Sequence, residues 1–398
     1  DEIRGIAEAF RNPVLQTAHL GQSMPEASFD WAIQVGFKPG VTDNVARSAQ
    51  EAAADILGRA LSDEEKIYSS TEYFIEAPKA TRSDIERFAE ELLANTLIHD
   101  VQIQSSRERA EQGIVANHPE VNEEAALEVQ EVDLHVDDSE LMRISRDGMF
   151  ALTLDEMKTL RDYFKYASEE RKHRGLGAKP TDVEIEALAQ TWSEHCKHKI
   201  FNATVDYTDE NGAETTIESC FKSYVRAATR KIGEDKDWLL SVFHDNAGII
   251  RFNDHTNLVY KVETHNSPTA LDPYGGAMTG IVGVNRDPLG TGMGADLLLN
   301  TWGYCFASPF LPRENVPCGL FHPRRLREQV HKGVVEGGNQ SGIPYALGWE
   351  FFDERFLGKP LVYCGTVGTL PNTIQGHPSE EKDVMPGDAV VMVGGRIG

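Results

Sequence analysis

The run from Leu258 to Asp287 constrains the fold more than any other part of the chain. Leu258, Val259 and Tyr260 read as a strand that passes into Lys261-Val262-Glu263-Thr264-His265-Asn266-Ser267-Pro268. Side chains two apart on a strand share a face, so Lys261 and Glu263 point the same way, with His265 beside them wherever the extended geometry persists. Beyond Asp272-Pro273-Tyr274-Gly275-Gly276, the residues Ala277, Ile281, Val284 and Pro288 recur at helical spacing. Ile281-Val282 alone would also suit a strand; the longer spacing favours a helix. Strand, polar turn and helix in that order call for a mixed α/β domain.

The residue types in this segment suit chemistry on a phosphate. A cation, a carboxylate and an imidazole on one edge serve charge neutralisation, divalent-metal binding and proton transfer. A helix starting just after Gly275-Gly276 would let backbone amides approach an anion. It would also carry Arg286, suited to a bidentate oxyanion contact, and Asp287, suited to a metal. Any one of these residues alone fits a solvated loop equally well. The whole set in one short segment points to function.

Bulk properties narrow the partners. At 398 residues the chain has room for two to three domains. A net charge of −24 spread along it argues against a nucleic-acid partner. The five cysteines show neither close pairs nor zinc spacing, which fits a reducing, cytoplasmic setting. There is no signal-peptide pattern and no apolar run long enough to span a membrane.

Taken in order, the chain opens with a short helix over Ile3–Phe10. Phe29, Trp31, Ile33, Val35 and Phe37 alternate strictly, as in a half-buried strand. A helix capped by Thr42 or Asp43 runs to Gly58, followed by a strand at Tyr73–Glu76, a helix over Ser83–Leu93 and a strand at Asp100–Gln104. Residues 1–105 thus form a βαβαβ-like unit. Residues 106–150 are acidic and read as a loosely packed connector, with one exposed strand at Val129–Val136. Residues 151–199 are helical, with Leu152–Phe164 first and a basic linker at Arg171–Gly175. A second helix follows, with Thr181 and Glu184 as its capping box and Ile185, Leu188, Ala189 and Trp192 as its buried stripe. It delivers Ser193-Glu194-His195-Cys196-Lys197-His198-Lys199, two imidazoles and two ammoniums beyond its end. Residues 200–385 begin with a hairpin, Thr204–Thr208 and Thr215–Phe221, about an Asn-Gly turn. Further on come strands at Trp302–Phe306, Ala346–Phe352 and Leu361–Thr369, and a helix from Pro323 with Leu326, Val330 and Val334. Glu336–Pro344 reads as a glycine-rich loop. Residues 386–398 look like the start of a further domain, with a strand at Ala389–Val393 and a glycine loop over 394–398.

Three motifs now stand in register: Thr191–Lys199; Lys261–Pro268 with Gly275-Gly276 and Arg286-Asp287; and Gly337–Pro344 with the strand containing Glu350. Together they resemble the phosphoribosylformylglycinamidine synthase family, over nearly the whole chain. The N-terminal unit, with Phe37–Asn44 and Leu93-Ala94-Asn95, resembles that enzyme's small accessory subunit fused to the synthetase. Residues 152–199 resemble its linker, and 200–385 the first of its ATP-binding α/β domains, of the aminoimidazole-ribonucleotide-synthetase-like superfamily. The resemblance implies an ATP-dependent ligase of purine biosynthesis that converts formylglycinamide ribonucleotide to the amidine through an iminophosphate-type intermediate, using glutamine-derived ammonia.

By resemblance, His198 and Lys261 contact ATP, and Glu263 and Asp287 hold Mg²⁺. Thr264, His265, Asn266 and Arg286 hold the ribonucleotide, with His265 as acid/base and His195 as a second active-site residue. The implied partners are a glutaminase subunit and either a second synthetase half or another copy of this chain. Many members read His-Asn-His-Pro where this chain has His265-Asn266-Ser267-Pro268, so a substrate contact at 267 is not carried over. The family's second, pseudo-symmetric half is not in this sequence. Related phosphotransferases such as selenophosphate synthetase and thiamine-phosphate kinase use acidic metal clusters, and the His195 motif with Thr264-His265-Asn266 argues against them. A half-synthetase that binds nucleotide or a partner without turnover is the other alternative.

Overall fold

The computed structural model describes residues 2–21, 28–62, 64–115, 117–120, 129–195 and 197–393. Cys196, residues 121–128 of the acidic stretch and the glycine loop at 394–398 lie outside the described residues. The chain divides into two compact units, Asp1–Asn122 with Trp238–Gly398, and Glu123–Asp237.

The first unit opens with helix α1 (Glu2–Phe10) and a sheet of β1 (Trp31–Phe37), β2 (Ser70–Ile75) and β3 (His99–Ser105). Its strand order is β2-β1-β3, antiparallel throughout. The alternation of β1 puts Ile33 and Val35 against Ile85, Ala89 and Ala94. Helix α2 (Asn44–Leu57) starts where Asp43 accepts from Ala46 N and ends at Gly58 in the left-handed region, φ 65°. Helix α3 (Arg82–Phe88), capped by Thr81, continues into a π turn over Ala89–Leu93. Helix α4 (Ser106–Gln112) follows β3 directly.

The second unit corrects the reading of the acidic connector. Val129–Val136 forms no strand; a single bridge joins Glu131 to Thr181. Leu134 is buried, and helix α5 (Asp138–Asp147) sets Leu141 and Ser145 inward while its charges face out. They pack with Leu152, Met157, Leu160 and Phe164 near or on α6 (Leu154–His173), and with Ile185 and Ala189 on α7 (Asp182–Thr191). The charge run marks a solvated helix face rather than loose chain. The supposed basic linker is the last turn of α6, where Arg171 grips Glu184 at 2.6 and 2.8 Å. That contact, with burial opposing it, holds the Glu184 carboxyl below its ordinary range. Thr181 and Glu184 do form the capping box. A short helix α8 (Lys199–Asn202) leads to the hairpin β4 (Thr204–Thr208) and β5 (Glu214–Glu218), then to α9 (Ala227–Gly233).

Returning to the first unit, β6 (Leu239–Ser241), β7 (Gly248–Arg251) and β8 (Thr256–Thr264) precede α10 (Asn266–Leu271) and α11 (Pro273–Leu289). After them come β9 (Asp296–Phe306), α12 (Pro323–Ser341), β10 (Tyr345–Phe352) and β11 (Leu361–Pro371). The six strands are ordered β10-β9-β11-β8-β7-β6, and only β10 with β9 is parallel. Helices α11 and α12 cover one face, where Ala277, Ile281, Val284, Leu326, Val330 and Val334 meet Tyr304, Phe306, Val362 and Cys364. The other face carries Tyr260, Val262, Leu347, Trp349 and Phe351, all exposed, with Trp349 against Tyr363 at 5.7 Å.

Two glycine readings are overturned. Gly275 and Gly276 do not precede the helix but lie in the first turn of α11. A Cβ on Gly276 would sit 2.6 Å from Thr269 N, so this glycine serves close packing rather than an anion. Glu336–Pro344 is not a loop either, because α12 runs on to Ser341. Its glycines face neighbours that leave no room for a side chain. A Cβ on Gly333 would lie 2.3 Å from Tyr274 O, and one on Gly337 2.7 Å from Ile281 Cγ2.

Gly333→Ala should therefore destabilise the fold by about 1–3 kcal/mol, although alanine is the better helix former. Gly283→Ala on α11, where an added Cβ meets nothing within 4 Å, should stabilise it by about 0.5–1 kcal/mol. Urea denaturation of both variants checks this; equal shifts of the same sign would refute the close-packing account.

Candidate active site

Strand β8 serves two surfaces. Its register with β11 pairs Lys261 with Thr366 and Glu263 with Cys364, all on the helix-covered face. Tyr260, Val262 and Thr264 alternate to the open face. Lys261 Nζ lies 2.8 Å from Asp287 Oδ2 on α11 and donates to Asn246 O at 3.1 Å. Glu263 stands one pleat repeat further on, about 6.6 Å along the strand. Among the described residues no ion pair or hydrogen bond engages its carboxylate. Burial, with help from Glu263, pushes the Cys364 thiol up to about 12.

The strand ends at Thr264, and His265 takes φ −125°, ψ 67° as the residue before α10. Its amide donates to Val362 O at 3.0 Å, and its carbonyl accepts from Thr269 Oγ1. Asn266 Oδ1 accepts from Val362 N at 2.8 Å, which ties the start of α10 to β11. The His265 side chain lies against α11, where a Cβ on Gly280 would come within 3.1 Å of its own Cβ. Its Nδ1 is buried, with no hydrogen-bond partner among the described residues.

Lys261, Glu263, His265 and Asp287 are thus gathered on one side of the sheet along α11. Thr264 is turned to the opposite face. Arg286, a quarter-turn from Asp287 around the helix, lines an open hollow with Val282, Leu289, Asp296, Ser341 and Ile343. His195 and His198 belong to the second unit. His198 adopts the left-handed φ of 53°, rare for a residue with a side chain. Next to it Lys199 pairs with Glu156 at 2.8 Å.

Sequence reasoning missed several supports. Asp245, whose carboxylate accepts from Gly292 N and Lys382 Nζ, fixes the loop that offers Asn246 O to Lys261. Behind Arg286 and Asp287, Asn300 Nδ2 donates to Asn285 Oδ1 at 2.6 Å inside the core. Nothing in the sequence pattern marks Asn285 and Asn300 as partners. Glu350 is held by Arg327 of α12 at 2.7 and 2.9 Å.

Because Cys364 is buried and its thiol pKa raised, it should resist alkylation of the native protein at pH 8 while exposed Cys318 reacts. Peptide mass spectrometry after a timed iodoacetamide pulse reads the two sites separately. Labelling of Cys364 as fast as Cys318 would mean that the strand end beside Glu263 is open.

Comparison with known proteins adds an independent line. Residues 141–199 match the formylglycinamide ribonucleotide amidotransferase linker domain, and residues 244–370 match the N-terminal domain of AIR synthase related proteins. The phosphoribosylformylglycinamidine synthase subunit PurL of Thermoplasma acidophilum is 35% identical over 66% of this chain and 29% of its own length. That of Thermoplasma volcanium is 30% identical over 66% of this chain and 30% of its own. The chain therefore spans about three tenths of the length of these curated relatives. Among solved structures, T. maritima PurL complexed with ATP is 24% identical, with a TM-score of 0.33 over 52% of this chain and 27% of that one. The chain carries a formylglycinamide ribonucleotide amidotransferase linker domain followed by an AIR synthase related N-terminal domain, and it is homologous to the phosphoribosylformylglycinamidine synthase subunit PurL.

Proposed function

We propose that this chain is part of an ATP-dependent carbon–nitrogen ligase that converts formylglycinamide ribonucleotide to formylglycinamidine ribonucleotide in purine biosynthesis. The observation that carries the reading is the Lys261–Asp287 contact at 2.8 Å, with Glu263 on the same face of β8. The T. maritima PurL protein has been solved in complex with ATP and with FGAR. Two carboxylates beside a lysine suit Mg²⁺, a hard cation that takes one or two protein carboxylates and completes its shell with water and phosphate.

In this reading Glu263 and Asp287 hold the ion, which when bound neutralises charge on the nucleotide phosphates. Lys261 contributes a second positive charge, and the family resemblance alone assigns His198 to the nucleotide. Asn266 orients the substrate amide, and Arg286 offers a guanidinium to an oxyanion of the ribonucleotide, whereas Thr264, turned to the opposite face of the sheet, is left out of the contacts with the amide. His265 moves the proton released when ammonia attacks the activated carbon, with His195 as a second active-site residue. Ammonia comes from a glutaminase subunit. The exposed apolar face of the sheet takes the second synthetase half or another copy of this chain. No described helix is long and apolar enough to cross a membrane, and the reading assigns the chain to the cytoplasm.

Two experiments test this. In the complete enzyme, full-length or reassembled and fed ammonia directly, His265→Ala should lower kcat roughly 10²–10⁴-fold with ATP and substrate binding nearly intact. An unchanged kcat would shift the role to His195, and unchanged kcat with a large rise in substrate KM would make His265 a binding residue. Separately, titration calorimetry should detect Mg²⁺-dependent ATP binding to the wild-type protein and its loss in Glu263→Gln and Asp287→Asn. Magnesium-independent binding, unaffected by either change, would overturn the metal assignment.

A further inference from the structure

Leu93-Ala94-Asn95 of the small N-terminal sheet domain has no place in the chemistry above, yet it reaches the segment that bears His265 and Asn266. Asn95 is nearly buried, 8% exposed, and its Nδ2 donates to Leu271 O, at the last residue of α10, at 3.0 Å. Its Oδ1 accepts from Leu97 N at 3.1 Å, and its own amide donates to His99 Nδ1 at 3.0 Å. The side chain is therefore fixed before it reaches Leu271.

A second contact clamps the same corner. Arg325, in the first turn of α12, donates to Glu90 O, Glu91 O and Ala94 O at 2.8, 2.6 and 2.8 Å. These are carbonyls at the end of the α3 helix and its π turn, the groups a helix leaves without internal partners. Burial holds the Arg325 guanidinium below its ordinary pKa, with Glu91 acting the other way, and the group lies 5.0 Å from the Phe321 ring centre.

Helix α10 has only six residues and cannot sustain itself. Asn266 Oδ1 on Val362 N pins its start, and Asn95 on Leu271 O pins its end. Asp272, the next residue, is the N-cap position of α11 but makes no side-chain cap there. We infer that Asn95 is a positioning residue: through Leu271 the N-terminal domain sets the placement of α10, and with it His265 and Asn266. The small domain then acts on the synthetase site by one directed hydrogen bond. The inference rests on the proposed function for its kinetic consequence, but the contact itself can be tested without turnover.

Asn95→Asp is nearly isosteric and keeps the oxygen that receives Leu97 N, while removing the donor to Leu271 O. Asn95→Ala removes both. Hydrogen exchange on the chain as it stands should show amides of residues 269–276 exchanging about tenfold faster in both variants, the worth of one hydrogen bond, with β1 and β3 unchanged in Asn95→Asp. Unaltered exchange in 269–276 would overturn the latch. In the complete enzyme fed ammonia, Asn95→Asp should raise KM for formylglycinamide ribonucleotide about tenfold while KM for ATP stays within about twofold. Faster exchange with unchanged kinetics would reduce Asn95 to a structural contact and overturn the positioning role. Absence of turnover in the wild-type complete protein would instead refute the proposed function and leave the exchange result to decide on the latch.

Discussion

Close approach of α11 to its neighbours is the constraint on which the AIR synthase related domain depends. Gly276 lets the helix begin against the backbone of Thr269, Gly280 lets it pass His265 and Cys364, and Gly333 and Gly337 bring α12 in from outside. Each missing side chain costs helix stability, about 1 kcal/mol relative to alanine. That cost is offset by the apolar layer of Ile281, Val284, Val330 and Val334 sealing on Tyr304 and Phe306. Because α11 is seated so closely, Asp287 arrives at Lys261 rather than at solvent. The site's geometry is thus set by packing several turns away from it.

The ion pair at the centre is not best understood as a source of stability. Lys261 and Asp287 are each about three-quarters removed from water, so desolvation takes back much of their attraction. Among the described residues Glu263 has no hydrogen-bond or ion-pair partner, and the protein as a whole is strongly acidic. In the proposed function, a local arrangement of one cation and two carboxylates is suited to exchanging partners: the lysine would turn to a phosphate when a divalent ion neutralised the acids. The buried Asn285–Asn300 pair is of a different kind. Two amides that satisfy each other in an apolar layer fix the rotation of α11 about its axis, because any other rotation leaves them unpaired.

What was legible in the sequence followed from short-range physics. The alternation of β1, the caps at Asp43 and Thr181, and the strand–helix order around Lys261 each rest on neighbours within a few residues. The failures share a cause as well. Gly337-Gly338 and Gly275-Gly276 look like loops because glycine is usually there for its backbone freedom, and only the helix packed against them reveals the other use. The acidic stretch looked unstructured because acidic residues recur all along it, yet Leu134 and Leu141 are enough to seat its described part from Val129 onward on α6 and α7. Within the candidate site, spacing put Lys261 and Glu263 on one face, but it could not show that Thr264 turns away or that Arg286 faces a separate hollow. Those placements depend on where β8 ends and on the rotation of α11, both set by long-range contacts.

Strand β8 also shows why the two surfaces of the sheet are bound to each other. Its alternate residues divide between a polar row under α11 and an apolar row, Tyr260 and Val262, on the open face. A slip of one residue against β11 would move Lys261 and Glu263 onto the open face and drive Tyr260 and Val262 beneath the helices. Covering the open face buries apolar area, and so favours the register that puts the cation and carboxylate under α11. The converse holds too: any nucleotide or metal held by the polar row stabilises the same register and presents the apolar row outward. The exposed apolar row and the covered polar row are then two consequences of a single strand pairing, and neither can change without the other.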